Sequence, residues 1–190
     1  MQKITASLVL CLLMFAGSFA RADEYSDTVD VYKKAGESAA FFKDCYGYAV
    51  FPTIGKGGLG VGAAHGNGRV YEKGKYVGDT SMTQVSVGLQ AGGQAYSQII
   101  FFENKAALDQ FTSGNFEFGA GVSAVAIKSG ASGSVGTTGA TASASSGGGE
   151  TGAGTAGKYR KGMAVFSIAK GGLMYEASLS GQKFSYKARS

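Results

Sequence analysis

From Tyr48 to Tyr71 apolar residues are interrupted by glycine at Gly55, Gly57, Gly58, Gly60, Gly62, Gly66 and Gly68, which leaves no run long enough for a helix. The stretch instead reads as three short extended runs, Tyr48 to Ile54, Leu59 to Ala64 and Arg69 to Glu72. Gly66-Asn67-Gly68 has the Asn-Gly step that adopts the positive φ angles of a tight hairpin, so a turn is expected there. Gly55-Lys56-Gly57-Gly58 suits a second reversal of the chain. Gly55, Gly57 and Gly60 also fit G-x-G-x-x-G, with Asp79 downstream. That fingerprint binds a dinucleotide only when its third glycine opens a helix facing the pyrophosphate. Val61 to Gly68 is too broken by glycine to be that helix, and the hairpin outweighs it.

The same bias extends over the chain, which has 32 glycines and one proline among 190 residues. Many tight turns in a β-rich fold are the expected outcome. A chain of this length can bury one core large enough to fold without disulfides.

Met1 to Ala22 has the composition of a secretion leader. Lys3 supplies the positive start, Ile4 to Phe19 the apolar run, and Ser18-Phe-Ala20 or Ala20-Arg-Ala22 the small-residue cleavage site. The expected organisation is a removed leader at 1–22 and one domain at 23–190, containing a Gly/Ser/Ala/Thr segment at 129–157. The expected destination is the periplasm or the cell exterior, in association with the envelope. Cleavage would leave Cys45 as the only thiol, too few for an internal disulfide or a four-cysteine zinc site. Cys45 then reads as a small core residue, with a bond between chains as the alternative. The formal charge of +5 falls to about +3 without Lys3 and Arg21. That is far from the basic stripe of a nucleic-acid binder, so no nucleic-acid partner is expected.

Asp23 to Lys43 reads as an amphipathic helix, with Tyr25, Val29, Tyr32, Gly36, Ala39 and Phe42 on one face. Packing of that stripe on a sheet is the simplest use of it. Val70 to Val77 is expected to turn at Gly74, Gln84 to Gln90 to form a half-buried strand, and Gln94 to Phe102 a central one ending in Ile99-Ile-Phe-Phe102. Asn104 suits the cap of a short helix, Lys105 to Phe111, that buries Leu108 and Phe111 and stops at Gly114. A long strand over Phe116 to Ile127 should follow, then a flat strand near Ser134 to Ala144 and a mobile loop at Ser145 to Gly157. Strands at Ala164 to Ile168, Leu173 to Leu179 and Lys183 to Lys187 are expected to form two consecutive hairpins.

Chemistry is sparse. His65 is the one histidine, and beside a turn it reads as solvent-facing; no nucleophile, Walker-type or paired-acid motif accompanies it. No catalytic residue, metal ligand or cofactor is therefore expected. The basic residues remain, densest at Lys158-Tyr-Arg-Lys161, with Lys33, Lys34, Lys43, Lys56, Arg69, Lys73 and Lys75 in the N-terminal half. Each cation near an anionic membrane contributes about 1 kcal/mol, so three or four on one face give salt-sensitive adhesion. The candidate lipid contacts are Lys33, Lys34, Lys56, Arg69, Lys158, Arg160 and Lys161.

Four segments, in order, resemble the SYLF domain, a lipid-binding family. Ala49-Val-Phe-Pro52 with its glycine-rich sequel resembles the family's opening, and Val87-Gly-Leu-Gln-Ala-Gly-Gly-Gln-Ala95 its Gly-Leu-Gln-x-Gly-x-Gln signature. Phe116-Glu-Phe-Gly-Ala-Gly-Val-Ser123 resembles a family strand, and Lys161 through Ser178-Leu-Ser-Gly181 the family's ending. One departure is visible: Gly78-Asp-Thr-Ser-Met82 stands where a tryptophan-serine pair is usual, and the chain has no Trp. The resemblance implies non-catalytic binding of acidic phospholipid headgroups, with the N-terminal helix or the glycine-rich loops touching the apolar layer. The phosphoinositide and actin links of eukaryotic members do not carry over to a chain with a bacterial-type leader. The alternatives are a self-assembling or protein-binding module of the envelope and a carrier of an apolar ligand. The expected fold is α+β: a strongly bent antiparallel sheet or barrel of about eight to ten strands, with an N-terminal amphipathic helix and one short internal helix.

Overall fold

The computed structural model describes residues 24–118, 125–127, 158–170 and 181–190. The expected leader, the flat strand and loop of the 129–157 segment, and the strand Leu173 to Leu179 lie outside the described residues. Residues 24–34 form α1, followed by α2 (Gly36–Ala39) and α3 (Phe41–Asp44). Two long strands follow, β1 (Gly47–Glu72) and β2 (Lys75–Phe102), then α4 (Lys105–Phe111), β3 (Phe116–Glu117), β4 (Val125–Ile127), β5 (Met163–Ala169) and β6 (Gln182–Ala188).

The six described strands make one sheet, fewer than the eight to ten expected. The difference lies mainly in β1 and β2, of 26 and 28 residues, each of which takes the place of several expected strands. They pair antiparallel along their length and are joined by a two-residue turn at Lys73 and Gly74 (φ 47° and 78°), where the sequence places it. β5 and β6 both pair antiparallel with β2, at 96–102 and 78–84. β4 pairs parallel with β5 and β3 antiparallel with β6, so the described ends of the expected strand from Phe116 to Ile127 join different neighbours.

The turn expected at Gly66-Asn67-Gly68 is absent. These residues lie inside β1, opposite Met82, Ser81 and Thr80, without positive φ. Their glycines serve close approach. β1 bends sharply at Gly58–Gly62, beside a register shift between Leu59 and Val61, and its second half returns against its first. A Cβ on Gly66 would stand 2.6 Å from the Ile54 side chain and 2.9 Å from the Thr53 carbonyl; one on Gly68 would stand 2.6 Å from the Phe51 ring. Straight strands would hold Phe51 and Gly68 about 55 Å apart, at about 3.3 Å per residue. Their contact shows how far the sheet curls. The reversal expected at Gly55–Gly58 is thus a bend at its far end, with the ladder resuming beyond it.

Two cores result. Inside the curl lie Phe51, Ile54, Ala64, Val70, Met82, Ile100, Phe102, Val165 and Phe184, closed at one end by Leu108 and Phe111 of α4. The Asn104 side chain caps α4, accepting from the Ala107 amide at 3.0 Å as expected. Outside, the N-terminal helices cover Val50, Ile99, Phe101, Phe166 and Ile168 with Val29, Tyr32, Ala35 and Phe41. The Ile99–Phe102 run therefore has an apolar layer on each side, as its continuous hydrophobicity suggests. The expected N-terminal helix does pack on the sheet but breaks at Ala35, which is extended (φ −75°, ψ 115°). Ser38 Oγ spans the break by donating to the Tyr32 carbonyl at 2.6 Å. Cys45 is only half-buried at the edge of this outer core, and burial pushes its thiol pKa up.

Candidate functional site

The bend divides the β1–β2 ribbon into two halves whose outer faces differ. Residues 47–57 and 93–102 form the first, roofed by α1–α3; residues 61–72 and 78–87 form the second. In the second half alternate residues point inward and, apart from Gln84, are small or apolar: Gly62, Ala64, Gly66, Gly68, Val70, Thr80 and Met82. Their neighbours point out, and the register sets them in rows. Arg69, Asp79 and Lys187 form one row, Asn67, Ser81 and Ser185 the next, and His65, Thr83 and Lys183 the third. Ala63 and Val85 follow toward the bend, with Val61 beyond them. Within the rows Ser81 Oγ and Ser185 Oγ share a hydrogen bond of 2.7 Å, and His65 Nδ1 and Thr83 Oγ1 one of 3.3 Å. His65 is solvent-facing as expected, but from mid-strand and not beside a turn.

At the row farthest from the bend, arginine and tyrosine stack. The Arg69 guanidinium lies 4.3 Å from the Tyr25 ring centroid and 4.9 Å from that of Tyr76, and Arg189 lies 4.9 Å from the same Tyr76 ring. Tyr76 donates its phenol to Asp79 at 2.6 Å. Burial, followed by that bond to a carboxylate, pushes the Tyr76 pKa up, so the phenol stays protonated at neutral pH. At these distances each guanidinium is within cation–π range of a ring, and its N–H groups suit an oxyanion. Tyr71 stands beside Tyr76 and stacks on Tyr48, and Tyr48 packs against Phe42, over whose ring Lys33 lies at 5.9 Å.

The basic residues singled out from the sequence are distributed over several surfaces. Lys33 and Lys34 are exposed on α1, Lys33 within 3.4 Å of Asp30. Lys56 lies on the first half of β1 near the bend, and Arg69 belongs to the second half. Lys158, Arg160 and Lys161 are exposed together at the Phe102 end of β2, away from the bend, where the Gly162 carbonyl accepts a hydrogen bond from the Glu103 amide. Between them Tyr159 packs edge-on against Phe41. Burial first, then the negative charges of neighbours including Glu103 and Asp44, raise its phenol pKa, so acids dilute this basic cluster. Lys183, Lys187 and Arg189 share the open face with Arg69. Sequence reasoning passed over them because β6 meets β1 only through β2; the alternation of Lys183, Ser185 and Lys187 was the available signal.

Among the described residues no group of three His, Cys, Asp or Glu side chains gathers to hold a metal. Inside the curl the polar groups bond to one another: the Gln98 and Gln182 amides exchange hydrogen bonds of 3.1 and 3.3 Å, and Gln182 Nε2 donates to the Tyr96 phenol at 3.4 Å. The described part of the interior is filled by the rings of Phe51, Phe102, Phe111 and Phe184.

Residues 83–189 match the model of the Ysc84 family, described as Las17-binding protein actin regulators. This is the SYLF domain family. The chain belongs to it. Over 160 residues it is 29% identical to beta cell expansion factor A of Aeromonas veronii, an alignment that takes in 82% of this chain and 51% of that protein. The chain thus spans about half the length of this curated relative. Within the Ysc84 match lie Thr83 and Val85 of β2's open face, together with Lys183 and Lys187 of β6; Arg69, Asp79, Ser81 and the N-terminal helices precede it. The family is described by what it binds, not by a reaction.

Proposed function

We propose that the protein binds acidic phospholipids without catalysis, as an exported domain working at the cell envelope. The observation that carries this reading is the outer face of the second half, which among the described residues is exposed at Val61, Ala63, His65, Thr83 and Val85 and meets α1 at its far row, where Tyr25 lies over Arg69. There Arg69, Lys183 and Lys187 stand among hydroxyl and amide groups, and two guanidinium groups are stacked on tyrosine. Phosphate oxygens suit such donors, and tyrosine rings suit a boundary that is apolar below and wet above. Lys33, Lys34, Lys56, Lys158, Arg160 and Lys161 add positive charge elsewhere on the surface. With three or four cations engaged at about 1 kcal/mol each, binding should be salt-sensitive. The leader-like segment at 1–22 supports export.

A second reading, binding of a protein partner or self-assembly, is favoured by the family description, which names a protein ligand. Co-sedimentation of residues 23–190 with phosphatidylcholine and with phosphatidylglycerol vesicles, at low and high salt, separates the two. Pelleting with anionic vesicles alone, relieved by salt, supports lipid binding. Absence of pelleting under every condition overturns it in favour of a protein partner.

A further inference from the structure

Three large apolar side chains are exposed among the described residues: Val31 at 45% exposure, Val61 at 59% and Val85 at 66%. Single exposed valines are ordinary on a soluble surface. Val61 and Val85 are not isolated, because both belong to the outer face of the second half, beside the bend. From there the face becomes polar and then cationic, passing through the row of Lys183 and the row of Ser81 to the row of Arg69 and Lys187. At about 3.3 Å per residue it runs about 26 Å from Val61 to Arg69. Two carboxylates temper the charge: Asp79, which accepts from Tyr76, and Glu117, 3.6 Å from Lys183. Arg69, Lys183, Lys187 and Arg189 outnumber them.

The N-terminal helix is the competing element. Its apolar stripe is already occupied, since Val29, Tyr32 and Ala35 are buried on the sheet and Tyr32 is bonded to Ser97 and to the Phe166 carbonyl. Lifting the helix would expose Val50, Ile99, Phe101 and Phe166. The second half offers apolar surface without rearrangement.

We infer that this open face is the membrane-contacting surface, with Val61 and Val85 seated below the headgroups of an anionic bilayer and Arg69, Lys183 and Lys187 at its phosphates. The inference rests on the phospholipid reading and adds to it the face and the element that enters the apolar layer.

Because the chain has no tryptophan, one introduced Trp reports its own surroundings. V61W, V85W and V31W are compared with phosphatidylcholine vesicles, phosphatidylglycerol vesicles, and phosphatidylglycerol vesicles containing acyl-brominated lipid. The expected result is blue-shifted emission, quenched by brominated lipid, for V61W and V85W with anionic vesicles only, and unchanged emission for V31W. A V61D/V85D double variant should bind phosphatidylglycerol at least about tenfold more weakly. Circular dichroism of each variant, matched to the parent, keeps misfolding apart from lost contact. Parent-like pelleting of V85W with its emission still that of water overturns the inference and leaves the phospholipid reading standing. A shift in V31W alone does the same, pointing to the helix. A shift in V85W that follows protein concentration without lipid means that a second copy covers the face, which also overturns it. If the parent chain fails to pellet, both readings fall.

Discussion

The two halves of the β1–β2 ribbon share a backbone pattern and differ in what covers them. In the first half both faces are buried and mainly apolar: Phe51, Ile100 and Phe102 point into the curl, while Val50, Ile99 and Phe101 point out beneath the helices. In the second half the inner face is small or apolar apart from Gln84, and the outer face carries Arg69, Asn67, His65, Asp79, Ser81 and Thr83 beside Val61, Ala63 and Val85, with lysines added by β6. A strand buried on both sides carries stability, because every substitution meets a packed neighbour. A strand buried on one side frees alternate positions for recognition.

The largest contrast should appear on truncation. Phe101 is fully buried and its ring lies against those of Phe41, Phe42 and Phe166. Phe101→Ala should cost about 3–5 kcal/mol in urea unfolding, whereas Thr83→Ala on the open face should stay within about 0.5 kcal/mol of the parent. Equal losses would erase the distinction between the halves.

Glycine supplies the next contrast. A Cβ on Gly68 would meet the Phe51 ring at 2.6 Å and the Val50 carbonyl at 2.8 Å, whereas one on Gly55 meets nothing within 4 Å. Gly68→Ala should therefore destabilise by about 1–3 kcal/mol, and Gly55→Ala should be neutral or stabilising by up to about 1 kcal/mol. If both were neutral, the close return of β1 on itself would be wrong.

Alkaline pH distinguishes the halves through their phenols. Burial pushes both Tyr48 and Tyr96, in the first half, up to about 12. An unfolded tyrosine ionises near pH 10, so between about pH 10 and 12 the folded state binds more protons and stability falls as pH rises. The stability these phenols contribute is fully present below that window. Tyr96→Phe should make the alkaline decline shallower, while Tyr76→Phe, at a more accessible phenol of the second half, should change it less. A decline unaffected by Tyr96→Phe would contradict its burial. The smallest effect concerns the stack: Arg69→Lys keeps the charge and loses the planar contact, for about 0.5–1 kcal/mol in thermal unfolding.

Much of this architecture is legible from the sequence. The Gly74 turn, the Asn104 cap, the two-sided Ile99–Phe102 run and the packing of the N-terminal helix follow from local patterns that the tertiary fold respects. Gly66-Asn67-Gly68 misleads because a hairpin and a close backbone approach both call for glycine, and only long-range packing against Phe51 and Ile54 selects between them. The candidate site was half visible. Arg69 stands out as a basic residue, but its association with Lys183, Lys187 and Arg189 depends on β6 joining β2 across more than a hundred residues of chain, and no local pattern encodes that pairing.

The most direct measurement compares two charge-neutralised proteins with the parent in phosphatidylglycerol vesicle co-sedimentation at low salt. One carries Arg69→Gln, Lys183→Gln and Lys187→Gln on the open face; the other carries Lys33→Gln and Lys34→Gln on α1. The expected result is a large loss of pelleting for the first and near-parent pelleting for the second. Loss confined to the α1 protein, with the open-face protein still bound, would contradict the assignment of recognition to the outer face of the second half.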